Sequence, residues 1–196
     1  MKPITSHKAQ VKNLAVWTKM LEGKDVNLRI VEREYLPLYT EWHNTLENAG
    51  EFEWWNQKSR TEAEKEYDNR PPDSKTFFIE KKDGTKIGWI GHFLAGGLLE
   101  IYYYLLPKER GKGYGTEAIV VMVDYLFLSR DLMRVQATCD PCNIPSQRVL
   151  EKAGFKKEGI RRRVGFTRGK WVDDCLYSII REEWKEPKIL TKTGSK

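Results

Sequence analysis

Residues 109–118 read ERGKGYGTEA, so that Gly111, Gly113 and Gly115 alternate with Lys112 and Tyr114 between an apolar run and a segment of helical spacing. Without side-chain bulk, such a turn can aim consecutive backbone N–H groups at one point. The macrodipole of the following helix adds positive potential there. Arg110 and Lys112 add formal charge. This is chemistry suited to a pyrophosphate; the competing account is a tight turn whose glycines only permit packing. Two nucleotide motifs are excluded. No glycine stands five positions before any Gly-Lys pair, as G-x-x-x-x-G-K-[ST] requires, and G-x-G-x-G is not the dinucleotide G-x-G-x-x-G.

Cys139 and Cys142 form CDPC, and Cys175 is the third cysteine. Zinc would need two more ligands, and His7, His43 and His92 lie far off without ligand spacing. A thioredoxin-like pair should open a helix after a strand, whereas Pro141 holds this one in a turn. The thiols therefore read as buried or incidental, with no metal site, and three cysteines suit a reduced cytosol.

Several elements must position the glycine turn. VNLRIVE (26–32) alternates as a half-buried strand does, and residues 35–68, ended by Pro71 and Pro72, read as two short helices. TFFIE and KIGWIGHFL flank an Asp83-Gly84 hairpin turn, and Gly96-Gly97 leads into a third antiparallel strand, LLEIYYYLL, stopped by Pro107. Thr116 to Ser129 is a helix with Ile119, Met122, Val123 and Leu126 on one face. LMRVQAT (132–138) is a strand with Met133, Val135 and Ala137 facing one way. The next helix takes Asn143 as N-cap, Pro145 in its first turn, Val149 and Leu150 inward, and Gly154 as its stop. Two strands, around 159–166 and 171–180, close the chain through a TRGK turn. This order excludes Rossmann-like alternation and indicates α+β layers.

The 196 residues suit one domain of ordinary composition, 40% hydrophobic and 32% charged. No apolar run approaches the roughly 20 residues that span a bilayer. Residues 1–19 carry lysines and no acid. They lack both the apolar core of a secretory signal and the arginines of a mitochondrial presequence, and read as a basic extension. The domain is expected over 20–186, with 187–196 as a tail. Charge is unevenly spread: residues 108–170 hold fourteen Lys and Arg against seven Asp and Glu, while residues 41–70 hold eight acids against four bases.

RGKGYG at 110–115 resembles the R/Q-x-x-G-x-G/A motif of the GCN5-related N-acetyltransferase (GNAT) family, where the turn binds the pyrophosphate of coenzyme A. NIPSQRVLEKAGF (143–155) is similar to the N-x-x-S-x-x-[VL]-L-E-K-x-G-F segment of the ribosomal-protein-alanine N-acetyltransferase (RimJ/RimL) branch. EGIRRR, WVDDCLYSII and LEGKDVNLRIVE are in pattern, so the resemblance runs from about Met20 to Trp184. It implies a mixed, mostly antiparallel sheet of about seven strands, flanked by about four helices. The sheet would splay between its fourth and fifth strands, LLEIYYYLL and LMRVQAT, with acetyl-CoA in the gap. Backbone groups near Leu105 and Leu106 would pair with the pantetheine arm as another strand would. Arg110 and the N–H groups of the turn, from Gly111 through Lys112, Gly113, Tyr114 and Gly115 to Thr116, would hold the pyrophosphate. Asn143 and Ser146 would lie near the thioester; helix capping and an ordinary first-turn serine are their alternatives.

The implied reaction is direct transfer of acetyl to a primary amine, a protein N-terminus (ribosomal or other) or a small amine, by a monomer or homodimer. A neutral amine must attack, an oxyanion must be stabilised and the thiolate must gain a proton. Glu100 is the candidate base, the alternative being a solvent-facing strand glutamate. A backbone N–H near Leu105 would polarise the carbonyl, and Ser146 or Tyr177 would protonate the thiolate; Tyr177 is otherwise a core residue. Some members of the branch use a carboxylate just after the Arg-rich strand, where this chain has Val164, Gly165 and Phe166. Relay through Cys139 or Cys142 is conceivable, but the family transfers directly. The acidic segment GEFEWWNQ (50–57) is expected over the acceptor end, where it favours a cationic amine. The competing classes are a non-catalytic acetyl-CoA-binding module and, ranked last because basic and aromatic recognition motifs are not interleaved, a nucleic-acid binder.

Overall fold

The computed structural model describes residues 21–52 and 57–189. The extension expected over 1–19, part of the acidic segment (53–56) and the end of the tail (190–196) lie outside the described residues.

The chain opens with β1 (Leu21–Glu22) and β2 (Val26–Ile30), passes through a 3-10 turn at Arg33–Tyr35, and enters α1 (Leu36–Asn44), α2 (Leu46–Ala49) and α3 (Arg60–Asp68). Three helices thus stand where two were expected, because Thr45 is extended (φ −84°, ψ 111°) and interrupts the helical path after Asn44. A capping box begins α3: Ser59 Oγ accepts from Glu62 N–H while the Glu62 carboxylate accepts from Ser59 N–H at 2.8 Å.

A meander of β3 (Lys75–Lys81), β4 (Lys86–Ala95) and β5 (Leu98–Leu105) follows. Its first turn is the expected Asp83-Gly84 hairpin, in which Thr85 N–H donates to Asp83 Oδ1 at 2.9 Å and Gly84 has φ +89°. Then come a 3-10 turn at Pro107–Glu109, α4 (Tyr114–Ser129), β6 (Arg134–Cys139), α5 (Ile144–Lys152), β7 (Lys156–Thr167) and β8 (Lys170–Ile180).

The strands form one sheet in the order β1-β2-β3-β4-β5-β6-β8-β7, eight rather than seven because two-residue β1 joins the edge. All neighbours are antiparallel except β5 and β6, which α4 connects in parallel. Those two strands pair only at Leu99–Val135, Glu100–Gln136 and Ile101–Ala137. Beyond these pairs they part, which is the splay anticipated between LLEIYYYLL and LMRVQAT.

Both faces of the sheet are covered. On one, the expected face of α4 (Ile119, Met122, Val123 and Leu126) is buried against Leu28, Ile79, Ile90, Ile101 and Leu150. On the other, Phe78, Val31 and Leu36 collect the aromatic side chains of α1. Met133 departs from expectation: β6 begins one residue later, and Met133 is 64% exposed while Val135 and Ala137 are fully buried. The C-terminal segment is also tied down further than residue 186. Buried Asp124 on α4 accepts from Trp184 Nε1 at 2.8 Å and from the N–H groups of Lys188 and Ile189 at 2.6 and 2.8 Å.

Candidate active site

The parting of β5 and β6 opens a cleft of about 920 Å³. Its floor is β5, one wall is the start of α5, and its head is the glycine turn. Gly111 and Gly113 take left-handed φ values of +76° and +87°, which glycine alone adopts without strain. A Cβ at either would meet nothing within 4 Å, so the need for glycine here is conformational and the space beside the turn is open. Gly113 is the N-cap of α4 and supplies no side-chain cap; Glu117 N–H makes the bond back to Gly113 at 3.1 Å. The N–H groups of Tyr114, Gly115 and Thr116 therefore have no acceptor within the helix.

Gly111, Gly113, Gly115 and Thr116 line the cleft, and Gly115 is the close-packed one, its absent Cβ lying 3.4 Å from Leu105 Cδ1 and 3.6 Å from Val149 Cγ1. Lys112 does not line the cleft; its side chain pairs with Glu109 at 3.0 Å. Tyr114 packs against the core. Arg110 lines the cleft, with its guanidinium 5.3 Å from the Tyr104 ring centre and its Nε donating to Leu105 C=O at 2.9 Å.

That last bond alters the expected backbone docking. Leu106 is fully engaged: its N–H donates to Ile87 C=O and its C=O accepts from Glu109 N–H, both at 2.9 Å. Since Leu106 N–H faces β4, strand alternation turns the backbone groups of Leu105 and Tyr103 into the gap. Leu105 C=O is taken by Arg110, and Leu105 N–H and the backbone groups of Tyr103 face the gap. Leu106, expected beside Leu105 along the pantetheine arm, thus turns its backbone groups to β4 and to the following turn.

Asn143 serves as the N-cap of α5, accepting from Ser146 N–H at 3.1 Å, and also lines the cleft. Ser146 lines it too. Its Oγ lies 2.6 Å from Tyr103 OH, so a hydroxyl pair bridges the two walls. Glu100 is only 8% exposed, which removes the solvent-facing alternative. Its carboxylate accepts from Gln136 Nε2 at 2.9 Å and from Thr138 Oγ1, just past the last parallel pair, at 3.0 Å, and it lines the cleft. Tyr177 lies elsewhere. It is fully buried behind α5, with its hydroxyl 3.1 Å from Gln147 Oε1 and 3.2 Å from Glu151 Oε1, and burial beside that carboxylate raises its pKa. It does not line the cleft, so the expected proton donor is a core residue.

Sequence reasoning missed several residues of the site. Tyr103 and Thr138, which line the cleft, and Gln136, which holds Glu100 from behind it, carry no motif. Arg148 and Lys152 could have been found from their i, i+4 spacing on α5, which puts both on the cleft side. Residues 164–166 hold no carboxylate, but across the hairpin β8 brings Asp173 and Asp174 into the lining. Asp174 holds Arg161 at 2.8 and 2.6 Å, and Asp173 accepts from Arg163 N–H at 2.9 Å. Glu51 and Phe52 close the far end together with His43, whose pKa burial lowers to about 4. Cys139 lines the cleft with its thiol pushed up to about 11 by burial, a protonated group rather than a nucleophile at neutral pH. Cys142 is exposed, Cys175 is buried, and all three are free. Among the described residues no cluster of three or more His, Cys, Asp or Glu could hold a metal ion, and no helix is long and apolar enough to cross a membrane.

Residues 25–156 match the family described as "Acetyltransferase (GNAT) domain". Over 175 residues the chain is 32% identical to the probable N-acetyltransferase YjcK of Bacillus subtilis (strain 168), covering 82% of this chain and 97% of that protein. Other Bacillus N-acetyltransferases, 34–39% identical, align over only 50–61% of their own length. The fold is shared with Mycobacterium smegmatis RimJ in complex with CoA-disulfide (TM-score 0.72, 24% identity, 88% of this chain and 92% of that one). It is shared equally with the Vibrio cholerae spermidine N-acetyltransferase in complex with CoA and spermine (TM-score 0.72, 21% identity, 81% and 97%). A match over most of the domain, on a sheet that opens after three parallel pairs, makes this chain a member of the GNAT acetyltransferase family.

Proposed function

We propose that this chain is an N-acetyltransferase that moves the acetyl group of acetyl-CoA directly to a cationic primary amine, either a protein N-terminus, as in the RimJ/RimL branch, or a small amine. The observation that carries this reading is the glycine turn at the head of the cleft, where first-turn N–H groups lacking helical acceptors stand beside Arg110 and open space. Arg148 and Lys152 add positive charge on the facing wall. Phosphates at this end would place the pantetheine arm along Leu105 and Tyr103 and bring the thioester toward Ser146 and Glu100.

An amine of pKa about 8 is mostly protonated at neutral pH, so a base must take one proton before or during attack. The Glu100 carboxylate, fixed by Gln136 and Thr138, is suited to that role directly or through a water. The amine nitrogen then bonds to the carbonyl carbon, and the oxyanion formed is stabilised by Leu105 N–H, a donor that needs no reorganisation. On collapse the C–S bond breaks, and Ser146, its hydroxyl held by Tyr103 at 2.6 Å, gives a proton to the departing thiolate while the surplus proton of the acylated nitrogen restores the hydroxyl, directly or through a water. Positioning of two substrates in one cleft supplies much of the rate.

Glu51 and Asp173 give the acceptor end negative charge, which supports a cationic acceptor. Three free cysteines support a reducing compartment such as the cytosol. The deciding experiment is thermal shift with acetyl-CoA, then thiol-release assays across polyamines, aminoglycosides and peptides with free N-termini. Turnover with one amine class is expected, and Glu51→Gln should raise the KM of that acceptor more than that of acetyl-CoA. Binding of acetyl-CoA without turnover on any amine would replace the enzyme with a binding module.

A further inference from the structure

Behind the acceptor end lies a second, smaller cavity of about 310 Å³, between α1, α3 and the sheet. His43 and Tyr102 line both it and the cleft, so two side chains form the shared wall. Gly91 makes that wall possible. A Cβ there would fall 2.4 Å from the Tyr102 ring, and its absence lets Tyr102 lie across β4 and reach Thr76 Oγ1 with its hydroxyl at 2.6 Å.

The charges in this cavity do not cancel. Lys58 is bound to Glu66 at 2.6 Å, which leaves Arg70. Arg70 is half-buried, with its guanidinium 4.2 Å from the Tyr67 ring centre, and it takes part in no ion pair among the described residues. The acids nearest to it in sequence are committed elsewhere, Glu66 to Lys58, Asp68 to Arg33 and Asp73 to Arg130. Apolar Val31, Leu36 and Ala63 line the same cavity. Nε2 of His43, in the shared wall, is buried without a hydrogen-bond partner.

We propose that this cavity is a second ligand site, taking a small molecule with one carboxylate and an apolar body, and that it communicates with the transfer cleft through His43 and Tyr102. A planar guanidinium free of acids presents a two-pronged donor that matches a carboxylate. A phosphate dianion would call for a second uncommitted cation, and Lys58 is already neutralised. The volume sits at the lower end of the roughly 300–1,000 Å³ typical of ligand pockets, which limits the occupant to a small molecule.

The test is calorimetric titration of the full chain, without acetyl-CoA, using butyrate, valerate, benzoate and phenylacetate, their primary amides as uncharged controls, and inorganic phosphate. Saturable binding of at least one carboxylate is expected, at least tenfold tighter than its amide and at least tenfold weakened by Arg70→Gln. Ala63→Leu fills the cavity without changing its charge and should remove the same binding, so the result does not rest on one variant folding. Both variants should keep the wild-type thermal shift with acetyl-CoA, which separates this proposal from the reading of the cleft. No binding by any carboxylate, phosphate binding tighter than all of them, or undiminished binding in Arg70→Gln would each overturn it.

Discussion

Replacing Gly113 with Val separates what the turn does for the fold from what it does for the ligand. Gly113 has φ +87°, a conformation in which an L-residue is strained by about 1–2 kcal/mol. No atom lies within 4 Å of the added Cβ, so the Cβ itself meets no crowding. For a chain of this size that strain lowers Tm by roughly 2–8 °C, and the protein should still fold. Binding should suffer far more. Loss of two N–H contacts to a charged phosphate, each worth about 1.5–3 kcal/mol, weakens acetyl-CoA by more than about 100-fold. Gly97 supplies the control, having φ +83° and equally empty surroundings at the β4–β5 turn, outside the cleft. Gly97→Val should lower Tm by a similar amount and leave acetyl-CoA affinity unchanged. Calorimetric titration and thermal melts of both variants decide the matter. A folded Gly113→Val protein that binds within threefold of wild type, or equal binding losses in the two variants, would refute the reasoning.

Glu100→Gln keeps the shape of the Gln136 and Thr138 contacts while removing the base, so kcat should fall by roughly 100-fold or more with acetyl-CoA affinity retained; unchanged kcat would move the base to Asp173 or to solvent. His43 and His92 each have a folded pKa lowered to about 4 by burial, against an ordinary value of 6.5, so the unfolded chain binds protons there first and stability should fall as pH drops from 6.5 towards 4. His43→Phe, which preserves stacking on Trp89, should flatten that decline in melts recorded across the range; an unaltered slope would count against the assignment. Asp124→Ala strands three donors, Trp184 Nε1 and the N–H groups of Lys188 and Ile189, and should cost about 2–4 kcal/mol and expose residues 185–189 to proteolysis, both measurable together.

The elements were legible wherever a local pattern carries local physics. Asp83-Gly84 specifies its hairpin, Asn143 its cap, and the spacing of Ile119, Met122, Val123 and Leu126 the buried face of α4. The reading failed where the deciding partner is distant. Met133 continues the alternation of its strand, yet β6 begins at Arg134, and Met133 is left exposed. Thr45 gives no breaker signal of its own, so α1 and α2 merge in the sequence and part in the structure.

For the site, the amino-acid order by itself determined the end proposed to bind phosphate. A turn of alternating glycines before a helix has its donors in consecutive backbone groups, and no remote contact is needed to assemble them. The groups proposed to act on the acetyl group were placed by tertiary structure. Glu100 becomes a buried, oriented carboxylate only because β6 delivers Gln136 and Thr138 beside it. Ser146 gains its partner because β5 and α5 face each other across the gap, and the same packing withdraws Tyr177 into the core. Leu105 and Leu106 look alike in sequence, but strand alternation points one into the cleft and the other at β4. Hydrogen bonding in the ladder has a direction, and that direction exists only once the strands have paired.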